Sequence, residues 1–400
     1  NLLGTSQARV QTVLPVASFF GVIGISFLIM LSNMLLAGLI EVKLLDKKAK
    51  LPWQSAACGF AIIAAIIAGC QLFKVDNKPD TSFKATLVQG CFFPTPRQLT
   101  YDEYLEQFIV YRDLTLEQLK NKPDLILWPE TPVPDRYYNS PSGNYKKLVD
   151  LITQKSQVPM IVGSGHYDPQ TEENYNAAFF IDKNGQEIAR YYKSHLVPYG
   201  EYTPLKDLLP HSWWQTLDKF INMGNLSPGT DFPVMVLNDK VRFGINICYD
   251  DVFYDISREY VKNGANLLVT ITNDSWYQQT CGGEQHMVHS IFRAVENGVP
   301  LLRCGTSCES CLVLPSGEVT NLIRDKQGKR ITRGALTIDV PLCTKFTPTF
   351  YYKYPNFFLT ICLVATFLCF FVSALHLFKR KKALRQCLTN SDVLNPLSED

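Results

Sequence analysis

The sequence predicts a layered α/β domain with a mixed sheet, set between membrane-spanning helices. Three observations predict it. From 86 to 339, short apolar runs alternate with helix-like ones, the pattern of strands covered by helices. Asn184-Gly185 and Ser316-Gly317 stand between short strand-like runs and read as hairpin turns, so the sheet is mixed and not purely doubly wound. Three stretches, 10–40, 51–73 and 354–378, carry no Asp, Glu, Lys or Arg. A helix needs about 20 apolar residues to cross the hydrocarbon core, and each stretch is that long.

Taken in order, the stretch 10–40 is long enough to tilt or to carry an irregular end. It does not read as a signal peptide, because its apolar part is too long and no small-residue cleavage pattern follows. With 51–73 it makes an N-terminal membrane region over 1–78; the chain opens on Asn1, not methionine, so further spans are expected ahead of it. A globular domain over 79–353 follows. Its strand-like runs are 85–89, 124–128, 160–163, 177–181, 241–247, 267–272, 301–303, 311–314 and 335–340. Its helix-like runs are 101–120, 144–155, 255–263 and 284–297. The segment 199–232 differs, being rich in Pro, Trp, Leu and Gly with little periodicity, and reads as long surface loops. There Leu208, Leu209, Trp213, Trp214 and Phe220 either sit against lipid or form a minor core under a loop. The third span, 354–378, and a basic tail, 379–400, close the chain.

A net charge of +2 argues neither for nor against nucleic acid, and none is expected as a partner. Lys43, Lys47, Lys48 and Lys50 lie between the first two spans, and Lys379, Arg380, Lys381, Lys382 and Arg385 follow the third. The positive-inside bias places both groups in the cytoplasm, so the domain faces outward. That compartment permits disulfides. Seven of the 12 cysteines fall in the domain, an odd number that leaves at least one thiol free, and Cys248 is the candidate. Some pairing is expected among Cys281, Cys304 and Cys308, with Cys91, Cys311 and Cys343 left open. Cys308-Glu309-Ser310-Cys311 has no second pair and no histidine cluster, so no zinc is expected.

Phe243-Gly244-Ile245-Asn246-Ile247-Cys248-Tyr249-Asp250 is an apolar run that ends on a cysteine before a helix-like stretch. That is how a chain presents a thiol at the end of a buried strand, on a sharp turn. Two other signals of the same kind lie upstream, Leu125-Ile126-Leu127-Trp128-Pro129-Glu130 and the segment from Lys193 to Glu201. A thiol attacks carbonyls as the thiolate, and with an ordinary pKa of about 8.5 it needs a base or a cation nearby. Glu130 supplies the base, and Lys193 stabilises the thiolate and then the oxyanion. The N–H of Tyr249 is a second oxyanion donor. Singly, Cys248 fits a core filler, Glu130 a polar loop and Lys193 a solvated charge. Together, beside strands of one domain, they describe acyl transfer. No Ser/His/Asp set is suggested.

The set Trp128-Pro129-Glu130, Lys193 followed by Glu201, and Cys248-Tyr249 resembles the carbon–nitrogen hydrolase (nitrilase) superfamily, and within it the apolipoprotein N-acyltransferase branch. The similarity runs from Val88-Gln89-Gly90 through Asn273-Asp274-Ser275-Trp276, Gln285-His286 and Arg293-Ala294-Val295-Glu296. It reaches the first span at Gly24-Ile25-Ser26-Phe27-Leu28, and His195-Leu196-Val197-Pro198 is specific to the branch.

The resemblance implies a nitrilase-like αββα sandwich flanked by transmembrane helices. It implies a multi-pass protein of the bacterial inner membrane whose catalytic domain is periplasmic. Glu130, Lys193 and Cys248 become the catalytic triad, with Glu201, Tyr249, Asp250 and Asn176 in supporting places. The implied reaction takes an acyl chain from a phospholipid as a Cys248 thioester. It then passes the chain to the α-amine of the diacylglyceryl-cysteine that begins an apolipoprotein. No cofactor is expected, and the chain is expected to be a monomer. Asp250 stands where the family usually has glutamate, Tyr101 where it has tryptophan, and Tyr199 where it has phenylalanine. Gly305-Thr306-Ser307-Cys308 replaces a Thr-Asn-x-Gly run. Two other readings are a membrane-anchored amidase, disfavoured because a small polar amide needs no bilayer, and an inactive lipoprotein-binding scaffold, disfavoured by the intact triad.

Overall fold

A computed structural model describes residues 2–44, 53–94, 99–133, 137–138, 144–204 and 225–392. The strands run, in chain order, β1 (Thr81–Gln89), β2 (Leu125–Leu127), β3 (Met160–Asp168), β4 (Glu173–Ile181), β5 (Glu187–Tyr192), β6 (Met235–Asn238), β7 (Val241–Ile247), β8 (Leu267–Thr272), β9 (Leu301–Gly305), β10 (Cys311–Val313), β11 (Val319–Thr320) and β12 (Gly334–Leu342). They form two six-stranded sheets, ordered β12-β1-β2-β3-β4-β5 and β11-β10-β9-β8-β7-β6. The centre of each is parallel, β1-β2-β3 and β7-β8-β9, and the flanks are antiparallel, as the hairpin signals require. Gly185 and Gly317 adopt φ of 81° and 82° in the β4–β5 and β10–β11 turns.

Side chains alternate across a strand, and the burial divides accordingly. In the first sheet Leu87, Leu125, Leu127, Ile161 and Phe180 pack toward the second sheet, in one core with Phe243, Ile245, Leu268 and Leu302. Phe180 meets Phe243 edge-on at 5.2 Å. Their chain neighbours Val88, Ile126, Trp128, Met160, Val162 and Phe179 form a separate core with Phe108 and Tyr111 of a helix over Tyr101–Gln118, and Val149 and Ile152 of one over Tyr145–Ser156. The helices Tyr254–Lys262 and Gly282–Asn297 cover the second sheet through Tyr260, Ile291 and Phe292. Helix, sheet, sheet and helix are stacked, the αββα arrangement.

The N-terminal segment belongs to the same compact unit, residues 1–353. Its long helix, Ala17–Leu44, is broken at Gly21, where φ is 65° and a Cβ would lie 2.5 Å from the Tyr351 ring. The helix restarts at Val22, whose N–H donates to Glu296 Oε1 at 3.2 Å. Leu14, Val16, Ala17 and Ile25 are buried in the domain's core. Among the described residues three segments are long and apolar enough to cross a membrane, Leu14–Glu41, Trp53–Phe73 and Phe357–Lys382. The last lies in a second unit, 354–400, whose helix is Phe357–Asp392.

The strands β3 and β4 run beyond the expected 160–163 and 177–181, because Gly165–Asp168 and Glu173–Asn176 pair with each other as a polar hairpin extension. Periodicity is faint where polar residues continue a ladder. The expected pairing among Cys281, Cys304 and Cys308 is not found: all three are free thiols, as are Cys91, Cys248, Cys311 and Cys343. Cys304 lies inside, its Sγ facing the carbonyls of Val88 and Leu127 at 3.5 and 3.3 Å, whereas Cys281 is exposed before the Gly282–Asn297 helix. Leu208, Leu209, Trp213, Trp214, Phe220, Lys47, Lys48 and Lys50 lie outside the described residues.

Candidate active site

Strand ends from both sheets converge here. Glu130 follows β2 and Lys193 follows β5, both in the first sheet, while Cys248 follows β7 in the second. Open α/β sheets place ligands outside the carboxyl ends of parallel strands, and β2, β7 and β8 all end on this side.

Glu130 is 6% exposed and fully engaged. Its Oε1 accepts from Asn176 Nδ2 at 2.6 Å, and its Oε2 from the backbone N–H of Asn273 at 2.7 Å, after β8. The turn that carries it needs a bare neighbour, since a Cβ on Gly163 would stand 2.5 Å from the Pro129 carbonyl and 2.6 Å from Glu130 Cα. Thr131, next in the chain, has φ 43°.

Lys193 is 1% exposed. Its Nζ donates to Glu201 Oε1 at 2.7 Å and lies 3.8 Å from Glu130 Oε1. Asn176 Nδ2 also reaches Glu201 Oε1, at 3.3 Å, so one amide bridges both glutamates. The other oxygen of Glu201 accepts the Val197 N–H at 2.8 Å, closing the Lys193–Glu201 loop on itself. Burial alone would depress the lysine; the negative charge that Cys248 takes on when ionised, and the Glu130 and Glu201 carboxylates, outweigh it and hold the ammonium above its ordinary range. Lys193 is a permanent cation here.

Cys248 is half-buried and opens a tight turn over Cys248–Val252 with φ 50°, a left-handed conformation that costs a non-glycine residue about 1–2 kcal/mol. Such strain gathers at functional turns. Burial pushes its thiol well above the ordinary value; the Glu130 charge adds to this, and Lys193 opposes it. At rest, the sulfur carries its proton.

Asp250 is the anchor of that turn and is wholly buried. Its oxygens accept from the Ile247 N–H at 3.0 Å, the His195 N–H at 2.8 Å and the Tyr191 hydroxyl at 2.9 Å. Burial raises it to about 7 despite those donors. The aspartate therefore ties the Cys248 turn to the segment after Lys193, and its shorter reach leaves no acceptor idle. Tyr249 is half-buried, its ring edge-on to Phe253 at 5.2 Å, and Phe253 stacks on His195 at 3.9 Å. All seven residues singled out from the sequence thus lie at one place.

Sequence reasoning missed what stands behind Cys248. Asp251, Asp274, His286 and Arg303 form a closed ionic cluster, each no more than 6% exposed. Arg303 Nη1 donates to Asp251 Oδ2 and Nη2 to Asp274 Oδ2, each at 2.8 Å. His286 Nδ1 lies 2.8 Å from Asp274 Oδ1. An arginine inside the apolar run Leu301-Leu302-Arg303-Cys304 was the available signal, since a buried charge needs partners. Among the described residues no set of three or more His, Cys, Asp or Glu side chains is arranged to hold a metal ion.

A buried acid, a buried ammonium and a thiol on a strained turn thus stand at strand ends of a two-sheet sandwich. The carbon–nitrogen hydrolase signature matches residues 85–340, and the chain belongs to that family. It is similar to the apolipoprotein N-acyltransferase of Geobacter metallireducens, 30% identical over 328 residues that cover 80% of this chain and 60% of that one. It is also similar to apolipoprotein N-acyltransferase 1 of Treponema denticola, 27% identical over 414 residues, 93% of this chain and 72% of that one. Against the first of these, the chain spans less than two thirds of the relative's length. A solved amidase from Nesterenkonia sp. superposes with a TM-score of 0.48 at 18% identity, over 67% of this chain and 92% of that chain.

Proposed function

We propose that the chain is a phospholipid-dependent N-acyltransferase, with Glu130, Lys193 and Cys248 as its catalytic residues and Asn176, Glu201, Tyr249 and Asp250 supporting them. The acyl donor is a phospholipid and the acceptor is the α-amine of a diacylglyceryl-cysteine at an apolipoprotein N-terminus. The observation that carries this reading is the contact of one buried carboxylate, Glu130, with the Lys193 ammonium at 3.8 Å, beside a thiol on a strained turn. The apolar helices supply the reason for a lipid donor. The names of the Geobacter and Treponema relatives favour the same acceptor.

The first half-reaction converts an ester and a thiol to a thioester and an alcohol. Glu130 takes the Cys248 proton as sulfur attacks the ester carbonyl. The oxyanion forms against the Lys193 ammonium and the Tyr249 N–H. As it collapses, the carbon–oxygen bond breaks, Glu130 returns the proton, and the lysophospholipid leaves. In the second half the amine attacks the thioester, the carbon–sulfur bond breaks, and Glu130 moves one proton from nitrogen to the departing sulfur. The amide product and a free thiol result.

In this arrangement residues 1–78 form an N-terminal membrane region, 79–353 the catalytic domain, 354–378 a further span and 379–400 a cytoplasmic tail. The domain faces the periplasm from a multi-pass inner-membrane protein that acts as a monomer. The test is an intact-mass spectrum after incubation with phospholipid alone. An added acyl mass, lost to hydroxylamine and absent from Cys248→Ser, supports the reading. A reactive thiol that binds lipid and gains no mass refutes it in favour of an amidase or a binding protein.

A further inference from the structure

The cluster behind Cys248 has a feature that packing does not require. The His286 ring faces a carboxylate on each side, with Nδ1 2.8 Å from Asp274 Oδ1 and Nε2 3.2 Å from Asp251 Oδ1. The same Nε2 lies 3.3 Å from the main-chain carbonyl of Cys248, the residue with φ 50°. Charges balance in the cluster only when the histidine is protonated: Asp251 and Asp274 carry two negative charges, and Arg303 carries one positive.

We propose that His286 is a positioning residue for the nucleophile, its ring cation holding the Cys248 carbonyl and cancelling the negative charge that would otherwise oppose a thiolate there. This rests on Cys248 being the nucleophile. The groups that face the ring are Cys248 and Asp251 from the turn after β7, Asp274 and Tyr277 from the turn after β8, Arg303 from β9, and His289 on its own helix, which Arg293 in turn faces. Burial would discharge His286; Asp251, and then Asp274, overcome both that and the repulsion of Arg303, and its pKa rises to about 9. His289, by contrast, is lowered to about 4, by burial first, and stays neutral. Asp274 already weighs on the sulfur, adding to the burial and the Glu130 charge that raise the thiol. Loss of the His286 proton would leave that aspartate uncompensated.

The experiment measures Cys248 alkylation by iodoacetamide against pH in the full chain, with Cys248→Ser as the background. No lipid enters this readout, so it stands apart from the acyl-transfer reading, which the phospholipid mass assay tests. In the wild type the rate should rise with pH and then bend near 9, where His286 discharges. In His286→Gln, which keeps an N–H but not the charge, the rate at pH 7.5 should fall by about tenfold, the effect of one unit on a thiol. His286→Gln combined with Asp274→Asn restores the balance and should recover most of that loss. A wild-type profile with no bend near 9 overturns the proposal, as does a folded His286→Gln whose profile matches the wild type. A lower melting temperature with an unshifted profile would make the residue structural only.

Discussion

Replacing Lys193 by methionine removes a charge and keeps nearly the same volume. The ammonium is 1% exposed, 2.7 Å from Glu201 and 3.8 Å from Glu130. At an effective dielectric of about 20, the nearer pair is worth about 6 kcal/mol and the farther about 4 kcal/mol. The cost of burying the ammonium offsets much of this, and breaking a buried pair typically destabilises by about 3–5 kcal/mol. Lys193→Met should lose stability on that scale, because two carboxylates then share Asn176 with no cation. One of them would bind a proton, and if that is Glu130 the base is lost as well. Removing an oxyanion donor costs about 3 kcal/mol in the barrier, a rate loss of at least about a hundredfold. The second substitution Glu201→Gln separates the two effects. It removes the surplus carboxylate, so the double variant should regain thermal stability in detergent and still fail to form acyl-enzyme. Recovery of near-normal acylation in Lys193→Met/Glu201→Gln would refute the oxyanion role. An unchanged melting temperature in the single variant would refute the charge argument.

Two further substitutions test the scaffold around the site. Gly163→Ala places a methyl group against backbone atoms at 2.5 and 2.6 Å, so the Glu130 turn must shift. A loss of about 1–3 kcal/mol is expected with a lower rate of acylation, and unchanged melting would sink the steric account. Asp250 binds its proton more tightly folded, to about 7, than unfolded, at 3.8. Its contribution to stability is therefore greatest below 3.8 and is withdrawn as pH rises to about 7, in all about 4 kcal/mol. The melting temperature of the wild type relative to Asp250→Asn should fall between pH 4 and 7 and level off above. A constant difference over that range would show that Asp250 does not titrate there.

The strands that were legible in the sequence are those buried on both faces, such as Leu125–Leu127 and Leu267–Thr272, whose apolar runs need no partner to be seen. The edge strands β5 and β6 bury only part of one face, and their pattern fades; β5 nevertheless carries Lys193 to its place. Glu130 and Cys248 were legible because each follows a strand-like run, whereas Lys193 was legible through its spacing to Glu201 and the resemblance that spacing carries. That the runs split between two sheets was not, since alternation along one strand does not say which sheet it joins. The ionic cluster was hidden for the same reason. Arg303 lies 52 and 29 residues from the aspartates it binds, a pairing only the folded parallel strands create. The cysteines misled because compartment chemistry permits disulfides without placing any two sulfurs together.

The site is best understood as one thiol between two charge clusters with different duties. In front, Lys193 answers Glu130 and Glu201; behind, Arg303 and His286 answer Asp251 and Asp274. Neither cluster delivers enough positive charge to the sulfur to ionise it at rest, because burial and Glu130 raise its pKa more than Lys193 lowers it. In the proposed mechanism attack then coincides with proton transfer to Glu130, and its rate depends on how well that carboxylate is aimed. This explains why Glu130 is held by Asn176 and by the Asn273 N–H on separate oxygens, and why its turn demands a glycine opposite. A thiol kept neutral until a substrate carbonyl arrives is also less open to oxidation, which follows thiolate character and exposure. On this argument the groups that aim Glu130 govern acylation as strongly as those that touch the sulfur.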